Sequence, residues 1–288
     1  MKKKLLLTLM IGSLLTTFVA CSNGEKDKVE GQNDTNQSEE ADANSSASVD
    51  GKTSASVVPD AIVQEYKPAG FTDGNKKKAL FVVADPRKYS VNYDLANTAM
   101  KHFEDNGVEV ELRDLYDMKF NPVVQPEEFY YAKDGEGTPA EDVKKEQELV
   151  TKADYIIFCY PNWHDTPTAI VKGYMERVFA KKFAYQDGAN GLEGLLKGKS
   201  IYTIMNAGFL GGGRGYIDDG VGIDDKAWNE YMNAFKVLDD DTAGFWGVEN
   251  KGRFVNDRTP KNNSENYEAE INELREALKE ELNKVYFQ

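Results

Sequence analysis

Three segments of the chain combine side chains that could bind an anionic or a flat aromatic ligand. The first, residues 85–92, contains Lys88, Ser90, Val91 and Asn92 and leads into a helical pattern. Free backbone N–H groups and the helix dipole attract an anion at such a place. The segment has neither the P-loop nor the GxGxxG spacing, so an ATP or Rossmann-type NAD site is not indicated. On residue types alone, Ser90 or Asn92 could instead merely cap the helix.

The second segment follows an apolar run and carries aromatic residues between two prolines. Pro161, Asn162, Trp163 and His164 stand shortly before Pro167. Because proline fixes the backbone dihedral φ, the segment offers a rigid edge and an aromatic face to a planar heteroaromatic ring. The alternative is a turn in which Trp163 and His164 simply fill a gap.

The third segment is rich in glycine. Asn206, Ala207 and Gly208 begin it, and the glycine-rich run 211–215 precedes Tyr216. Glycine lets a backbone approach a ligand and donate N–H bonds, because no Cβ stands in the way. The run lacks the Lys-Ser/Thr of a Walker loop, and a flexible surface loop is the alternative interpretation.

Each segment follows a strand-like run in a sequence that alternates strands and helices. We predict strands at 79–84, 108–112, 155–159, 200–205 and 242–248, and helices near 95–103, 141–152, 169–178, 227–238 and 267–286. This alternation predicts a parallel sheet in a doubly wound three-layer sandwich, with 108–112 at an edge and 155–159 at the centre. Ligands bind outside the carboxyl ends of such strands, where all three segments lie.

The first 21 residues resemble a bacterial lipoprotein signal peptide. Three lysines precede an uncharged apolar run, residues 5–20, which falls short of the ~20 residues of a transmembrane helix. Cys21 follows Ala20 where the composition changes, as in a lipobox, although Phe18 departs from that pattern. The resemblance implies cleavage before Cys21, lipidation of its thiol and anchoring on the extracytoplasmic face of the cell membrane. An ordinary signal peptide with a chance cysteine is the alternative.

Composition then divides the rest of the chain. Residues 22–76 contain few large apolar side chains, so they are predicted to form a disordered polar linker before one domain at 77–288. Cys159, the only cysteine besides Cys21, is expected to be a lone thiol buried in a strand.

The charge of the chain limits its partners. A formal net charge of −14 argues against nucleic acid, because binding phosphates requires basic patches. The acidic run 239–241 fits no EF-hand loop, so we interpret it as a solvated surface and predict no metal site.

The second segment also carries a family resemblance. The run from Tyr160 to Phe179 (Tyr-Pro-x-Trp, then Pro-x-Ala-Ile-x-Lys-Gly-x-x-Glu-Arg-Val-Phe) is similar to the signature of the flavodoxin-like NAD(P)H:quinone oxidoreductases. That family includes the bacterial drug-activity modulator and potassium-efflux ancillary proteins. Residues 86–92 and 114–122 resemble further family segments, and the likeness extends from about 78 to 250. It implies an α/β flavodoxin-like sandwich whose five-stranded parallel sheet has the order 2-1-3-4-5.

The resemblance implies roles for residues in all three segments. FMN or FAD would be bound at its phosphate by the first segment, through Lys88, Ser90, Val91 and Asn92. Pro161, Asn162, Trp163 and His164 would border the ring, Asn206, Ala207 and Gly208 would provide backbone contacts, and Tyr216 would stand over the ring.

Three departures from the family fall in this site. Asp85 stands where the family often has histidine, Pro167 lies one residue early, and no histidine follows Tyr216. If a side chain protonates the acceptor, Tyr216 or His164 must therefore do it.

Together these features predict a flavin-dependent NAD(P)H oxidoreductase that passes two electrons to a quinone or another small acceptor. Members of this family are commonly homodimers. The predicted anchor would place the domain outside the cytoplasm, whereas NAD(P)H is a cytoplasmic metabolite. Two alternatives therefore remain: an extracytoplasmic flavoprotein electron carrier that does not use NAD(P)H, and a non-catalytic binding lipoprotein.

Overall fold

Five parallel strands form the central sheet of the structure. The computed structural model describes residues 66–129, 139–211, 224–257, 259–261 and 263–288. The strands are β1 (Lys78–Val83), β2 (Glu109–Asp114), β3 (Tyr155–Asn162), β4 (Tyr185–Gly188), β5 (Gly191–Gly194), β6 (Ser200–Ala207) and β7 (Glu249–Asp257). The helices are α1 (Val91–Asp105), α2 (Glu141–Lys152), α3 (Ala169–Val178), α4 (Asp225–Trp246) and α5 (Tyr267–Leu282), and a π-helical turn follows at Asn283–Phe287.

The sheet order is β2-β1-β3-β6-β7, and all four pairings are parallel. Strands β4 and β5 form a separate antiparallel pair that we did not predict from the sequence. Without that pair, the main strands follow the order 2-1-3-4-5, so the predicted flavodoxin-like topology is confirmed. The segments predicted at the centre and at the edge of the sheet, β3 and β2, lie there.

Helices cover both faces of the sheet. In β1, Leu80 and Val82 pack into one core cluster with apolar residues of α2, α3 and α4. The alternate residues Ala79, Phe81 and Val83 pack into a second cluster with residues of α1 and α5. Because successive side chains of a strand point to opposite faces, β1 is apolar on both faces from Ala79 to Val83. The predicted three-layer sandwich is therefore confirmed, and Cys159 is buried in β3 as expected.

The predicted strand at 242–248 is wrong. Helix α4 continues through this segment to Trp246, whose ring stacks on Phe179 with centroids 3.9 Å apart. Ala243 and Trp246 are both buried, and this packing outweighs the strand preference of the local residues. Gly247 then ends the helix with φ at 74°, a left-handed conformation that favours glycine. The fifth main strand is instead β7.

Residues 66–74 pack against the edge of the domain. The backbone N–H of Gly70 donates to the carbonyl of Val110 in β2 at 3.1 Å. Thr72 donates its N–H to Glu109 at 2.8 Å, and the Tyr66 hydroxyl bonds to Glu104. The chain therefore contacts the domain before residue 77, where we predicted the domain to start. Residues 1–65, including Cys21, lie outside the described residues.

The irregular segment between β2 and α2 is held to α3 by one buried arginine. Arg177 donates to Glu128 at 2.6 Å, to Asp142 at 2.7 Å and to the Asn121 carbonyl at 2.8 Å. Hydrogen bonding to Arg177 also holds the pKa of Asp142 below its ordinary value. The irregular segment comes closest to α3 at Gly173, where a Cβ would lie 2.1 Å from the Pro122 carbonyl oxygen.

This close approach predicts an asymmetry between two glycine-to-alanine changes. Gly173→Ala should lower the free energy of unfolding by about 1–3 kcal/mol or more, because the new methyl group overlaps rigid backbone. Gly244→Ala is the matched control, since Gly244 is also helical but has nothing within 4 Å of its Cβ position. That change should be neutral or stabilise by up to ~1 kcal/mol. Thermal denaturation of both variants checks the prediction, and equal effects would contradict it.

The described residues contain neither a membrane-spanning helix nor a cluster of side chains that could hold a metal ion. No helix among them is long and apolar enough to cross a membrane. Nor does this part of the chain contain three His, Cys, Asp or Glu side chains grouped to hold a metal ion. Within the acidic run 239–241, Asp239 pairs with Arg253 and Asp240 with Lys236.

Candidate active site

The register of the sheet brings the three predicted segments to one edge. Strands β1, β3 and β6 are neighbours, and Val83 at the end of β1 is paired with Cys159. At the ends of the next two strands, Pro161 is paired with Asn206. The loops that contain Lys88 to Asn92, Pro161 to His164 and Asn206 to Gly208 therefore leave the same carboxyl edge. Tyr216 lies outside the described residues.

In the first loop, Ser90 caps helix α1. Its Oγ accepts from the N–H of Tyr93 at 3.2 Å, so the capping interpretation of this residue is confirmed. The same hydroxyl donates to Asp85 Oδ2 at 2.7 Å. The hydroxyl hydrogen of Ser90 is therefore already donated to Asp85. The predicted contact between Ser90 and a ligand phosphate stays a prediction.

Asp85 is the anion that this loop surrounds. Its side chain is fully buried and, besides Ser90, accepts from the backbone N–H of Arg87 at 2.9 Å. The Arg87 guanidinium adds two bonds at 3.0 Å, through Nε and Nη2. Burial, and then the charge of Asp85, raise the pKa of Tyr116 above its ordinary value. The Tyr116 hydroxyl is therefore close enough to interact with the Asp85 carboxylate.

The second cation of the loop, Lys88, is engaged by carboxylates. Its ammonium group forms ion pairs with Asp114 and, at 2.6 Å, with Asp117. Burial opposes the charge of Asp114, yet hydrogen bonds from Lys88 and Tyr93 hold its pKa below the ordinary value. Lys88, which was expected to bind a ligand phosphate, and Arg87 thus already have anionic partners within the protein.

Two amide side chains, by contrast, have buried polar atoms with no hydrogen-bond partner among the described residues. Asn92, in the first turn of α1, is fully buried, and neither Oδ1 nor Nδ2 makes a hydrogen bond. Asn162 Oδ1, at the end of β3, is buried and unpaired as well, although its Nδ2 bonds to Asp165 at 3.2 Å. An unsatisfied buried polar atom costs about 1–3 kcal/mol, so such atoms at a sheet edge point to an absent ligand.

The loop after β3 is a tight turn that presents an aromatic ring. Trp163 and Thr166 exchange backbone hydrogen bonds at 3.2 Å, and the two residues between them, His164 and Asp165, have φ of 54° and 58°. Positive φ at both central positions is the type I′ geometry. The Trp163 side chain is 43% exposed, so it does not fill a gap in the core as the alternative interpretation required.

The loop after β6 is held to the end of β7 by hydrogen bonds, and it is open at Gly208. Asn206 Oδ1 accepts from Asn256 at 2.6 Å, and the Leu210 N–H donates to Asp257 at 3.1 Å. A Cβ on the exposed Gly208 would meet nothing within 4 Å. We did not predict Asn256 and Asp257 as supports of this loop, because we had not placed a strand there.

The residues at this edge fit a flat, polar heteroaromatic group. They provide an exposed indole ring, buried unpaired amide atoms on two loops, and open space over a glycine. This donor set matches the isoalloxazine ring and ribityl chain of a flavin. It fits a flavin phosphate less well, since the hydroxyl and cations that should bind the phosphate are bound to carboxylates.

Comparison with known proteins gives the same fold and related activities. A family model described as a flavodoxin-like fold matches residues 77–282. An uncharacterized NAD(P)H oxidoreductase of Haemophilus influenzae is 36% identical over 130 residues, which is 45% of this chain and 63% of the relative. The chain spans 54–64% of the length of the first four curated relatives that it matches.

Solved structures agree. A candidate quinone reductase from Klebsiella pneumoniae matches with a TM-score of 0.61 and 26% identity, covering 74% of this chain and 86% of the other. An FMN-dependent NADH-azoreductase from Bacillus anthracis, solved with FMN, matches with a TM-score of 0.50 and 17% identity, covering 71% and 98%. The second similarity is one of fold.

Proposed function

Because the chain belongs to the flavodoxin-like family whose model matches residues 77–282, we propose that it is a flavin-dependent NAD(P)H oxidoreductase. The acceptor in this proposal is a quinone or another small molecule that takes two electrons. The cofactor is FMN or FAD, with FMN favoured by the fold neighbour solved with it. The names of the Haemophilus and Klebsiella proteins support the same reaction class.

The observation that carries the proposal is a set of unpaired amide atoms at the carboxyl edge of the sheet. Asn92 Oδ1 and Nδ2, in the first turn of α1, and Asn162 Oδ1, at the end of β3, are buried and have no hydrogen-bond partner within the described residues. Ligands of doubly wound sheets bind at this edge. A flavin placed there would satisfy these atoms.

In this proposal the residues of the chain bind and orient the flavin, and a bound flavin would supply the two-electron chemistry. Trp163 offers its exposed indole face to the ring, and the turn around His164 fixes the position of that face. Backbone groups at Ala207 and Gly208 can approach the ring edge closely, since no side chain intervenes at Gly208. His164 and Tyr216 are the proposed proton donors to the acceptor, and Tyr216→Phe tests the second of these.

We also propose that the protein is attached to the membrane by lipid on Cys21 and that its domain lies on the extracytoplasmic face. The support is the order of the first residues: a basic start, a short apolar run and a cysteine at the change of composition. Each lipid methylene contributes about 0.8 kcal/mol of membrane affinity, so two or more chains hold a protein firmly. Metabolic labelling with a fatty acid, compared with Cys21→Ser, tests this.

The function itself is tested by flavin binding to the full chain. The protein purified in detergent should bind FMN or FAD at micromolar concentration and show the visible absorption of a bound flavin. Trp163→Ala should weaken this binding, whereas Phe129→Ala should not, because Phe129 is also an exposed aromatic residue but lies outside the three loops. Absence of flavin binding to the unaltered chain would contradict the proposal.

A further inference from the structure

The first loop contains an anion of its own where a flavin phosphate would be expected. The Asp85 carboxylate accepts four hydrogen bonds, three from Arg87 and one from Ser90. Ser90 is one of the residues that the family resemblance assigns to the phosphate, and the Arg87 N–H lies in the loop that leads to the N-terminus of α1. Asp85 thus occupies two of the donor groups that a phosphate in this loop would use.

Both cations of this loop are already paired with carboxylates. Arg87 is bound to Asp85, and Lys88 lies between Asp114 and Asp117. Three carboxylates therefore face two cations, and the cluster is negative before any ligand arrives. A phosphate monoester brings a further charge of about −1.5 to −2.

Burial makes this repulsion effective. Asp85 is fully buried and the Asp114 side chain is 8% exposed, so solvent screens their charges poorly. Like charges in such a setting oppose each other much more strongly than on an open surface. Asn92 contributes a buried side-chain donor that has no partner among the described residues, and a neutral amide can bind a ribityl hydroxyl as well as a phosphate oxygen.

We propose that Asp85 is a specificity-determining residue that competes with the flavin phosphate, so that the site recognises the ring and ribityl chain and gains little affinity from the phosphate. This inference rests on the proposed function, because it concerns the same flavin site. It implies that riboflavin, which has no phosphate, binds about as well as FMN. A site that bound the phosphate through free cations and N–H groups would instead prefer FMN strongly.

The test measures the dissociation constants of FMN and riboflavin with the full chain by quenching of flavin fluorescence. In the unaltered protein the two constants should agree within about threefold. Asp85→Asn removes the charge at constant size, and Asp85→Ala removes the group and frees Ser90 and Arg87. Either change should tighten FMN about tenfold, equivalent to 1.4 kcal/mol, and leave riboflavin nearly unaffected.

Asp105→Asn is the matched control. It removes the same charge from the far end of α1, where Asp105 pairs with Lys101 in solvent. The Asp105→Asn protein should prefer FMN over riboflavin to the same extent as the unaltered chain. A larger preference seen only in the Asp85 variants then cannot come from net charge alone.

The outcomes separate this inference from the function. A preference for FMN that rises threefold or more in either Asp85 variant supports the inference, and a smaller rise overturns it while the function stands. If both variants unfold, the unaltered protein decides, because a preference for FMN of about threefold or less supports the inference and a larger one overturns it while the function stands. Failure of both flavins to bind the unaltered chain overturns the function and the inference together.

Discussion

Replacing Arg177 with alanine is expected to lower the free energy of unfolding by about 3–5 kcal/mol, the usual cost of breaking a buried ion pair from one side. The Arg177 side chain is 3% exposed and its guanidinium bonds to Glu128, Asp142 and the Asn121 carbonyl. Its removal leaves the Glu128 carboxylate uncompensated and releases the irregular segment from α3. Chemical denaturation followed by far-UV circular dichroism measures the loss.

Two comparisons make this prediction specific. Arg177→Lys should recover only part of the stability, because an ammonium group cannot reproduce the fork of the guanidinium. Lys172→Ala, which breaks an exposed pair with Glu176 on the same helix, should change stability by less than ~0.5 kcal/mol. Similar losses for Arg177→Ala and Lys172→Ala would contradict the account.

The effect of Arg177→Ala should also depend on pH. Because Arg177 lowers the pKa of Asp142 in the folded protein, the pair contributes stability above the unfolded pKa of about 3.9. This contribution is lost as the pH falls through the lower folded pKa. The gap between the unaltered protein and the variant should therefore narrow below about pH 4.

Replacing Asn92 with leucine is expected to change stability and flavin binding in opposite directions. The two side chains have nearly the same shape, but leucine carries no polar atoms that need partners. Since Asn92 Oδ1 and Nδ2 are both buried and unpaired, the change should stabilise the flavin-free protein by about 1–3 kcal/mol. Flavin affinity should fall by tenfold or more, because the amide no longer meets the ligand.

A second buried amide provides the control for Asn92→Leu. Gln147 in α2 donates to the Val178 carbonyl at 3.0 Å, so Gln147→Leu should destabilise the protein and leave flavin affinity unchanged. Thermal denaturation without flavin and a flavin titration distinguish the two variants. If Asn92→Leu destabilises the protein and keeps its flavin affinity, then Asn92 is a structural residue.

Much of the fold could be predicted because periodicity and turn residues agree with the packing. The apolar run of β3 and the alternating run of β2 predicted a central and an edge position, and the sheet places them so. The strand expected at 242–248 failed for a tertiary reason, since Trp246 stacks on Phe179 from a helix that local preferences do not favour.

The common sheet edge of the three loops could be predicted from the sequence, but the hydrogen bonds and ion pairs within them could not. Strand alternation placed three loops at one edge, and the register of β3 with β6 agrees. The pairing of Asp85 with Ser90 and Arg87, and of Lys88 with Asp114, depends on distances that sequence spacing does not contain. The sequence showed Asp85 at a position where the family often has histidine. The structure adds that the Asp85 carboxylate accepts hydrogen bonds from Ser90 and Arg87 of its own loop.

The proposed activity depends most directly on the response of a bound flavin to NADH and NADPH. The full chain would be loaded with one equivalent of FMN without oxygen, and the visible flavin absorbance followed as each nucleotide is added. We predict bleaching by at least one nucleotide and recovery of the absorbance when a quinone is added. A bound flavin that neither nucleotide bleaches would contradict the oxidoreductase assignment and favour an electron carrier that takes its electrons from another donor.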